Sequence, residues 1–326
     1  MKILDEIHGS IVLSNEEIES ELNNIGWTKV IDAISETFIE EAHGRVISPP
    51  KTIINFTECN NDFRMMPSYM EKYPDFCGTK IISACSDNPK KYGLPTAMGI
   101  YILNDKRTQK SLMIFDAAIT TAWRTAAASA VGVRELSYPD SKVLGIIGCG
   151  RQAHYHIPAI LSIRKDIDEI LINDLNEDNM EKLMDAMDKY NIKKASKVDI
   201  LNTSDILVTM TPTTKAHILT KDVPNRNMMI CAIGGDSEIK MEFEPTILKK
   251  VNYFCDSLDQ VSHTGTVYNA LKESIITKKN LKPLGGLMIG KEKLNKKKVK
   301  MFLSTGVALE DLAIAILLYN KVKNKT

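Results

Sequence analysis

The stretch from Val143 to Ala153, Val-Leu-Gly-Ile-Ile-Gly-Cys-Gly-Arg-Gln-Ala, constrains the fold more than any other part of the chain. Its first five residues carry no polar face, as a parallel strand buried on both sides requires. Two glycines follow, and then a segment that reads as a helix. G-x-G-x-x-A between strand and helix is a dinucleotide fingerprint, and each small residue has its own reason. Gly148 permits the tight turn, Gly150 lets backbone approach a pyrophosphate, and Ala153 lets helix and strand pack closely. The N–H groups opening the helix, aided by its dipole, suit phosphate. Alone the motif is weak. Asp174, which ends the next strand 24 residues after Gly150 (174 − 150), strengthens it. A carboxylate there accepts hydrogen bonds from both ribose hydroxyls and repels a 2′-phosphate. With no arginine immediately beside it, NAD is expected rather than NADP.

The texture on either side of this motif differs. Before it, helices are expected from Ser14 or Asn15 and over Trp27–Glu41, the second ending at Gly44. From Ser48 to Gly99, short β-like runs alternate with Pro, Asn, Asp and Gly turns and predict a mostly antiparallel sheet. An Ala-rich helix over Asp116–Leu136 follows. After Ser141, strands (Glu169–Asn173, Ile206–Met210, Met228–Ile233) alternate with helices (one over Asp178–Tyr190), which predicts βαβ units and a doubly wound sheet. Lys291–Lys300 reads as a solvated connection, and Ser304-Thr-Gly as the start of a last amphipathic helix to about Val322. The expected fold is therefore α/β: a first domain over residues 1–130, a nucleotide-binding domain inserted at 131–301, and a C-terminal helix, 302–326, returning to the first domain.

Composition removes several function classes. The chain of 326 residues carries 42 Lys and Arg against 41 Asp and Glu, a formal charge of +1. No basic field exists to attract nucleic acid or anionic lipid, so neither is an expected partner. No apolar run reaches the roughly 18–20 residues of a membrane span. The first residues, MKILDEIHGS, do not read as an export signal. Cys59, Cys77, Cys85, Cys149, Cys231 and Cys255 form no C-x-x-C pair and are expected to be reduced thiols of a cytoplasmic protein. His154 and His156 stand at i, i+2, where helical side chains do not face each other, and no Asp, Glu or Cys stands at ligand spacing nearby. No metal is expected. Cys149 reads as a small residue fitted to its turn, and His263 as a loop residue with no assigned role.

Several further segments then carry a resemblance. They are Met66-Pro67-Ser-Tyr; Gly78-Thr-Lys80-Ile-Ile-Ser; Gly93-Leu-Pro-Thr96; Ile102-Leu-Asn-Asp105; Ile119-Thr-Thr-Ala-Trp-Arg124-Thr125-Ala-Ala-Ala-Ser; the glycine loop; Ala232-Ile-Gly-Gly235-Asp236; and Ser304-Thr-Gly306-Val-Ala-Leu-Glu310-Asp311. Together, in this order and over nearly the whole chain, they resemble the ornithine cyclodeaminase/mu-crystallin family, which also contains archaeal-type alanine dehydrogenases and imine reductases. The resemblance implies a Rossmann dinucleotide-binding domain inserted into an α+β substrate-binding and dimerisation domain, and a homodimer.

The chemistry of an α-amino acid substrate explains the matched residues. Its carboxylate needs a cationic clamp, which Arg124 and Lys80 resemble; arginine grips a carboxylate bidentately and lysine adds a point charge. Its ammonium needs a base. Asp236, after two glycines at the end of a buried strand, matches the family aspartate with that role. Lys80 is also a candidate for the catalytic set. Thr96, Thr125, Arg151, Gln152, Thr209, Thr211, Gly234, Ser304 and Gly306 match cofactor-contacting positions, and Met98 a substrate-pocket position. The departures concern the substrate side chain. Lys51 stands where cyclodeaminases carry an arginine, and Arg64 where they carry a glutamate, which resembles the alanine dehydrogenase branch. Gly234-Gly235-Asp236 resembles the cyclodeaminase branch. The implied activity is hydride transfer between NAD and the α-carbon of a small L-amino acid, through an imine. Net oxidation, cyclisation of an ornithine-like substrate, and imine or opine-type reduction stay open. The reading from another class is a non-catalytic nucleotide-binding protein of the mu-crystallin kind, against which the retention of Lys80, Arg124 and Asp236 argues.

Overall fold

Ser14 starts the first helix by a reciprocal cap: its hydroxyl accepts from the Glu17 N–H at 3.2 Å, and the Glu17 carboxylate accepts from the Ser14 N–H at 2.9 Å. This closes two of the N–H groups that a helix terminus leaves open. A computed structural model describes residues 1–4, 8–59, 61–85 and 87–325. The chain divides into two compact units, Met1–Arg124 with Val307–Thr326, and Thr125–Gly306.

The first unit begins with β1 (Lys2–Leu4), β2 (Ser10–Leu13), α1 (Asn15–Ile25) and α2 (Trp27–Ala42). Gly26, at φ +83°, turns the chain between the two helices. Then come β3 (Val46–Ile47), β4 (Thr52–Phe56), β5 (Asn61–Met70), β6 (Phe76–Ala84), α3 (Asn88–Lys91), β7 (Ala97–Asp105), β8 (Ser111–Asp116) and α4 (Ala117–Leu136), whose residues from Thr125 onward belong to the second unit. The strands form one sheet in the order β1-β2-β8-β7-β6-β5-β3, with β4 also on β5. Its pairings are antiparallel except β2 with β8. The two-residue period separates the faces. Met66, Lys80 and Tyr101 pair across β5, β6 and β7 and are buried together. The C-terminal helix, Ala308–Val322, packs on these three strands and on α2. Ile54, Phe56, Met65, Met98 and Ile100 occupy the other face and are exposed. Ile18, Leu22, Ile31 and Ile34 of α1 and α2 are fully buried, each contributing about 1.5–3 kcal/mol.

The second unit runs β9 (Val143–Ile147), α5 (Ala153–Ile163), β10 (Glu169–Asn173), α6 (Glu177–Ala186), β11 (Ile192–Lys194), α7 (Lys197–Thr203), β12 (Ile206–Thr209), β13 (Met228–Ala232), α8 (Ile247–Lys250), β14 (Asn252–Cys255), α9 (Leu258–Val261), α10 (Gly265–Lys272), α11 (Leu284–Met288) and β15 (Val299–Leu303). The C-terminal helix is then α12. All seven strands pair in parallel, in the order β11-β10-β9-β12-β13-β15-β14. With β9 first, the order reverses between β9 and β12, the switch point at which α/β sheets bind ligands outside the carboxyl ends of their strands.

Three features differ from expectation. Helix α6 stops at Ala186, because the Met187 N–H turns back to Met184 O. The lysine-rich run is not wholly a connection: Val299 and Lys300 begin β15, between β13 and β14, and Val299, Met301 and Phe302 are buried. Lys300 pairs with Met229 and Asn252 on either side, and its ammonium lies over the Tyr138 ring, 3.9 Å from the centroid. Finally, α12 starts at Ala308 rather than Ser304, since Gly306 lies at φ +72° and its N–H is held by Asp256 at 2.8 Å.

Candidate active site

The glycine loop closes on itself as its sequence demands. Gly148 has φ +99°, and a Cβ there would meet Met210 O at 2.8 Å. A Cβ on Gly150 would meet nothing within 4 Å, so the backbone at this turn borders open space, as a cradle for a pyrophosphate must. Ala153 is fully buried where α5 starts. Asp174, just past β10, holds the loop from outside: one oxygen accepts from the Cys149 N–H at 2.7 Å, the other from the Asn176 N–H at 2.8 Å. Burial and this carboxylate push the Cys149 thiol up to about 12, so the cysteine inside the loop stays a thiol. The residues present therefore fit a dinucleotide.

Two buried acids, which the sequence reading did not single out, organise the other strand ends of this unit. Glu242 accepts from Thr209 Oγ1 and the Gly234 N–H on one oxygen, and from the Thr211 N–H and Oγ1 on the other, at 2.7–2.8 Å. Three expected cofactor contacts, Thr209, Thr211 and Gly234, are thus fixed by one carboxylate. The site is tight: a Cβ on Gly234 would meet Thr211 O at 2.2 Å. Burial pushes the Glu242 carboxyl up, against the pull of its donors. Asp256, past β14, accepts from the Thr305 Oγ1 at 2.9 Å and the Gly306 N–H at 2.8 Å, and holds the Ser304–Gly306 turn. Ala232, Gly235, Glu242, Thr264 and Ser304 line a partly open recess at the carboxyl ends of β13 and β15. Asp236 stands on the following turn, partly exposed, 2.9 Å from the Lys240 ammonium. A signal for both acids exists in the sequence: Glu242 is flanked by Met and Phe, and Asp256 ends an apolar strand as Asp174 does.

In the first unit, Lys80 from β6 and Arg124 from α4 meet the first turn of α12. Lys80 Nζ lies 2.7 Å from Asp311 Oδ2, and Arg124 Nη1 lies 3.0 Å from Glu310 Oε2. The Arg124 Nε is 3.4 Å from Asp311 Oδ1. Burial pulls the Lys80 ammonium down to about 8, and the charges of Arg124 and Lys51 add to this while Asp311 opposes it. Tyr101, beside Lys80 on the sheet, is pushed well up by burial and stays a neutral phenol.

The remaining candidates separate. Arg64 shares the Lys80 face and is paired with Asp62 at 2.5 Å. Lys51 is half-buried before β4. Met98 pairs with Ser83 and lies on the opposite face of the sheet from Lys80 and Tyr101, 43% exposed. Thr96 is exposed, and Thr125 buried in α4. Arg151 is exposed at the loop, and Gln152 precedes α5. His156 is buried and pulled down to about 4, with Nδ1 donating to Gln152 O and Nε2 beside Ser129 Oγ. His263 is exposed, 3.5 Å from Glu238. Among the described residues, no group of three His, Cys, Asp or Glu side chains could hold a metal ion.

Known proteins share this fold. The model of the ornithine cyclodeaminase/mu-crystallin family matches residues 9–326. An alanine dehydrogenase of Archaeoglobus fulgidus is 31% identical over 322 residues, 97% of this chain and 96% of that one. Among solved structures, an archaeal alanine dehydrogenase dimer with bound NAD superposes with TM-score 0.89 at 30% identity, covering 97% of each chain. The Δ1-pyrroline-2-carboxylate reductase of Thermococcus litoralis, in complex with NADH and L-proline, gives TM-score 0.90 at 28% identity over 97% of this chain and 98% of that one. This chain belongs to the ornithine cyclodeaminase/mu-crystallin family.

Proposed function

We propose that the protein is an NAD-dependent oxidoreductase acting at the α-carbon of a small L-amino acid, or in reverse on the corresponding imine. The observation that carries this reading is the burial of two cations, Lys80 and Arg124, against the same acidic helix turn in the first unit. Two buried cations beside one another suit a ligand carboxylate. The second unit supplies the cradle: the loop from Gly148 to Ala153, Asp174 for the ribose hydroxyls, and the strand ends fixed by Glu242 and Asp256. NAD, when bound, accepts the hydride from the substrate Cα.

Each residue then has a task. Lys80 and Arg124 bind and orient the carboxylate. Asp236 takes a proton from the substrate ammonium as the Cα–H bond breaks, leaving an imine. Water adds to the imine and releases ammonia and a 2-oxo acid, so that one amino acid, one NAD and one water give one 2-oxo acid, ammonium, NADH and a proton. Lys51 and Arg64 stand near the cluster as candidate side-chain contacts. Arg64 is paired with Asp62. Reduction of a cyclic imine is the second reading, favoured by the likeness to the Thermococcus reductase.

The test is a panel: purified protein with NAD and L-alanine, L-proline, L-ornithine, L-glutamate or L-lysine, and NADH with pyruvate plus ammonium or Δ1-pyrroline-2-carboxylate. Nicotinamide absorbance is followed, and proline formed from ornithine is assayed directly. Turnover of one pair supports the reading; silence on all of them, with NADP as well, contradicts it.

We also propose a homodimer in the cytoplasm. The apolar exposed sheet face of Ile54, Phe56, Met65, Met98 and Ile100 is a surface suited to a second copy, and the related archaeal structure is a dimer. Ile100→Asp should shift the sedimentation coefficient from dimer to monomer; a wild-type monomer would refute the dimer. The cytoplasmic placement rests on Cys77, Cys149 and Cys231 standing as thiols outside any disulfide.

A further inference from the structure

We infer that Asp311 is a positioning residue: it ties Lys80 and Arg124 into one clamp and keeps the proton on Lys80, so that α12 belongs to the substrate-binding machinery. The inference rests on the reading of Lys80 and Arg124 as the carboxylate clamp. Asp311 faces both cations, with a different oxygen toward each: Oδ2 is 2.7 Å from Lys80 Nζ and Oδ1 is 3.4 Å from Arg124 Nε. The Lys80 and Asp311 side chains are 1% and 0% exposed, so solvent does not screen the pair. Glu310 takes another edge of the guanidinium at 3.0 Å and fixes its plane.

The ammonium has three donors. Asp311 takes one and Thr121 Oγ1, at 3.4 Å, takes a second. On this reading a ligand carboxylate would take the third. Without Asp311, burial, Arg124 and Lys51 all favour the neutral amine, which carries no charge for the carboxylate. The groups facing Lys80 are Asp311 from α12, Arg124 and Thr121 from α4, Tyr101 from β7 and the Lys51 charge ahead of β4. Of these, Arg124 keeps its charge throughout the accessible range, and Tyr101 is pushed out of it by burial. The proton that titrates near neutral pH is therefore that of Lys80, whose ammonium lies at about 8.

The sign follows. Below about 8 the ammonium is charged and the carboxylate binds; above it the proton leaves and binding weakens. The test is calorimetric titration of the NADH-saturated protein with pyruvate, without ammonium, from pH 6.5 to 9.5. Wild type is expected to bind evenly at the acid end and to weaken by up to about tenfold per pH unit beyond the break, as for the loss of one proton. In Asp311→Asn the break moves down by at least about one pH unit. In Asp311→Glu it stays near the wild-type position, and in Lys80→Arg it disappears, since arginine does not titrate there. A merely structural role for Asp311 predicts uniformly weaker binding at every pH with no movement of the break, which would overturn the inference. So would a flat wild-type profile, which needs no variant to fold. Failure of wild type to bind pyruvate at any pH would remove the clamp reading itself, and this inference with it.

Discussion

The two units bury negative charge in opposite ways. In the first, Glu310 and Asp311 face cations, Arg124 and Lys80. In the second, Glu242 and Asp256 face neutral donors, backbone N–H groups and threonine hydroxyls. An ion cluster in a dry interior is finely balanced: the attraction offsets a large desolvation penalty, and removing one partner leaves an uncompensated charge. Such a cluster responds to a charged ligand and to pH. A carboxylate held by several neutral donors fixes backbone instead, and here it ties together the loops that leave neighbouring parallel strands. The difference supports the division of labour proposed above, in which charge in the first unit would read the substrate and donor-held acids in the second would shape the cofactor cradle.

That division can be broken in stages. Arg124→Leu removes a partner of two buried acids, a change of about 2–5 kcal/mol. It should lower kcat/KM for the amino acid by roughly 30-fold to several thousandfold, with NADH affinity in a fluorescence titration unchanged. An equal loss of NADH affinity would erase the distinction between the units. Glu242→Gln replaces an oxygen that accepts two hydrogen bonds with an amide nitrogen that accepts none. Hydrogen bonds to a charged group contribute about 1.5–3 kcal/mol, so the NADH Kd should rise by roughly tenfold or more, while KM for the amino acid at saturating NAD stays near wild type. A rise in KM alone would move Glu242 into the substrate's half of the comparison. Asp174→Ser should have a smaller effect, narrowing the preference for NAD over NADP in paired kcat/KM measurements by up to about tenfold. An unaltered ratio would place the ribose-reading acid elsewhere. Smallest of all, iodoacetamide at neutral pH should leave activity intact through Cys149, whose thiol is pushed up to about 12. Rapid inactivation traced to Cys149 by mass spectrometry would show that the loop opens far more than its hydrogen bonds imply.

How legible these regions are in the sequence follows from how local their physics is. The glycine loop can be read because Gly148, Gly150 and Ala153 answer to a turn only a few residues long, and Glu169–Asn173 because its apolar run is continuous. Ser14 and Glu17 declare their cap at a fixed spacing. β15 escapes because three lysines precede it, and its burial depends on β13 and β14 lying on either side. The start of α12 escapes because Gly306 is held by Asp256, 50 residues away. The same holds at the site. Lys80 and Arg124 are recognisable by residue type in an apolar setting, but the acid between them lies at the far end of the chain. Glu242 carries a local hint, an acid between Met and Phe. Its partners, Thr209, Thr211 and Gly234, come together only through parallel pairing of β12 with β13.

The central claim is a hydride passing from a substrate Cα to NAD. It is tested most directly by incubating the protein with NAD and L-alanine or L-proline carrying deuterium at Cα, and weighing the reduced cofactor by mass spectrometry. The account predicts that one of the two yields NADH heavier by one mass unit, and that labelled NADH forms far more slowly when Asp236→Asn replaces wild type. NADH formed without the label would contradict it, and so would an absence of NADH with both amino acids while the imines are likewise not reduced.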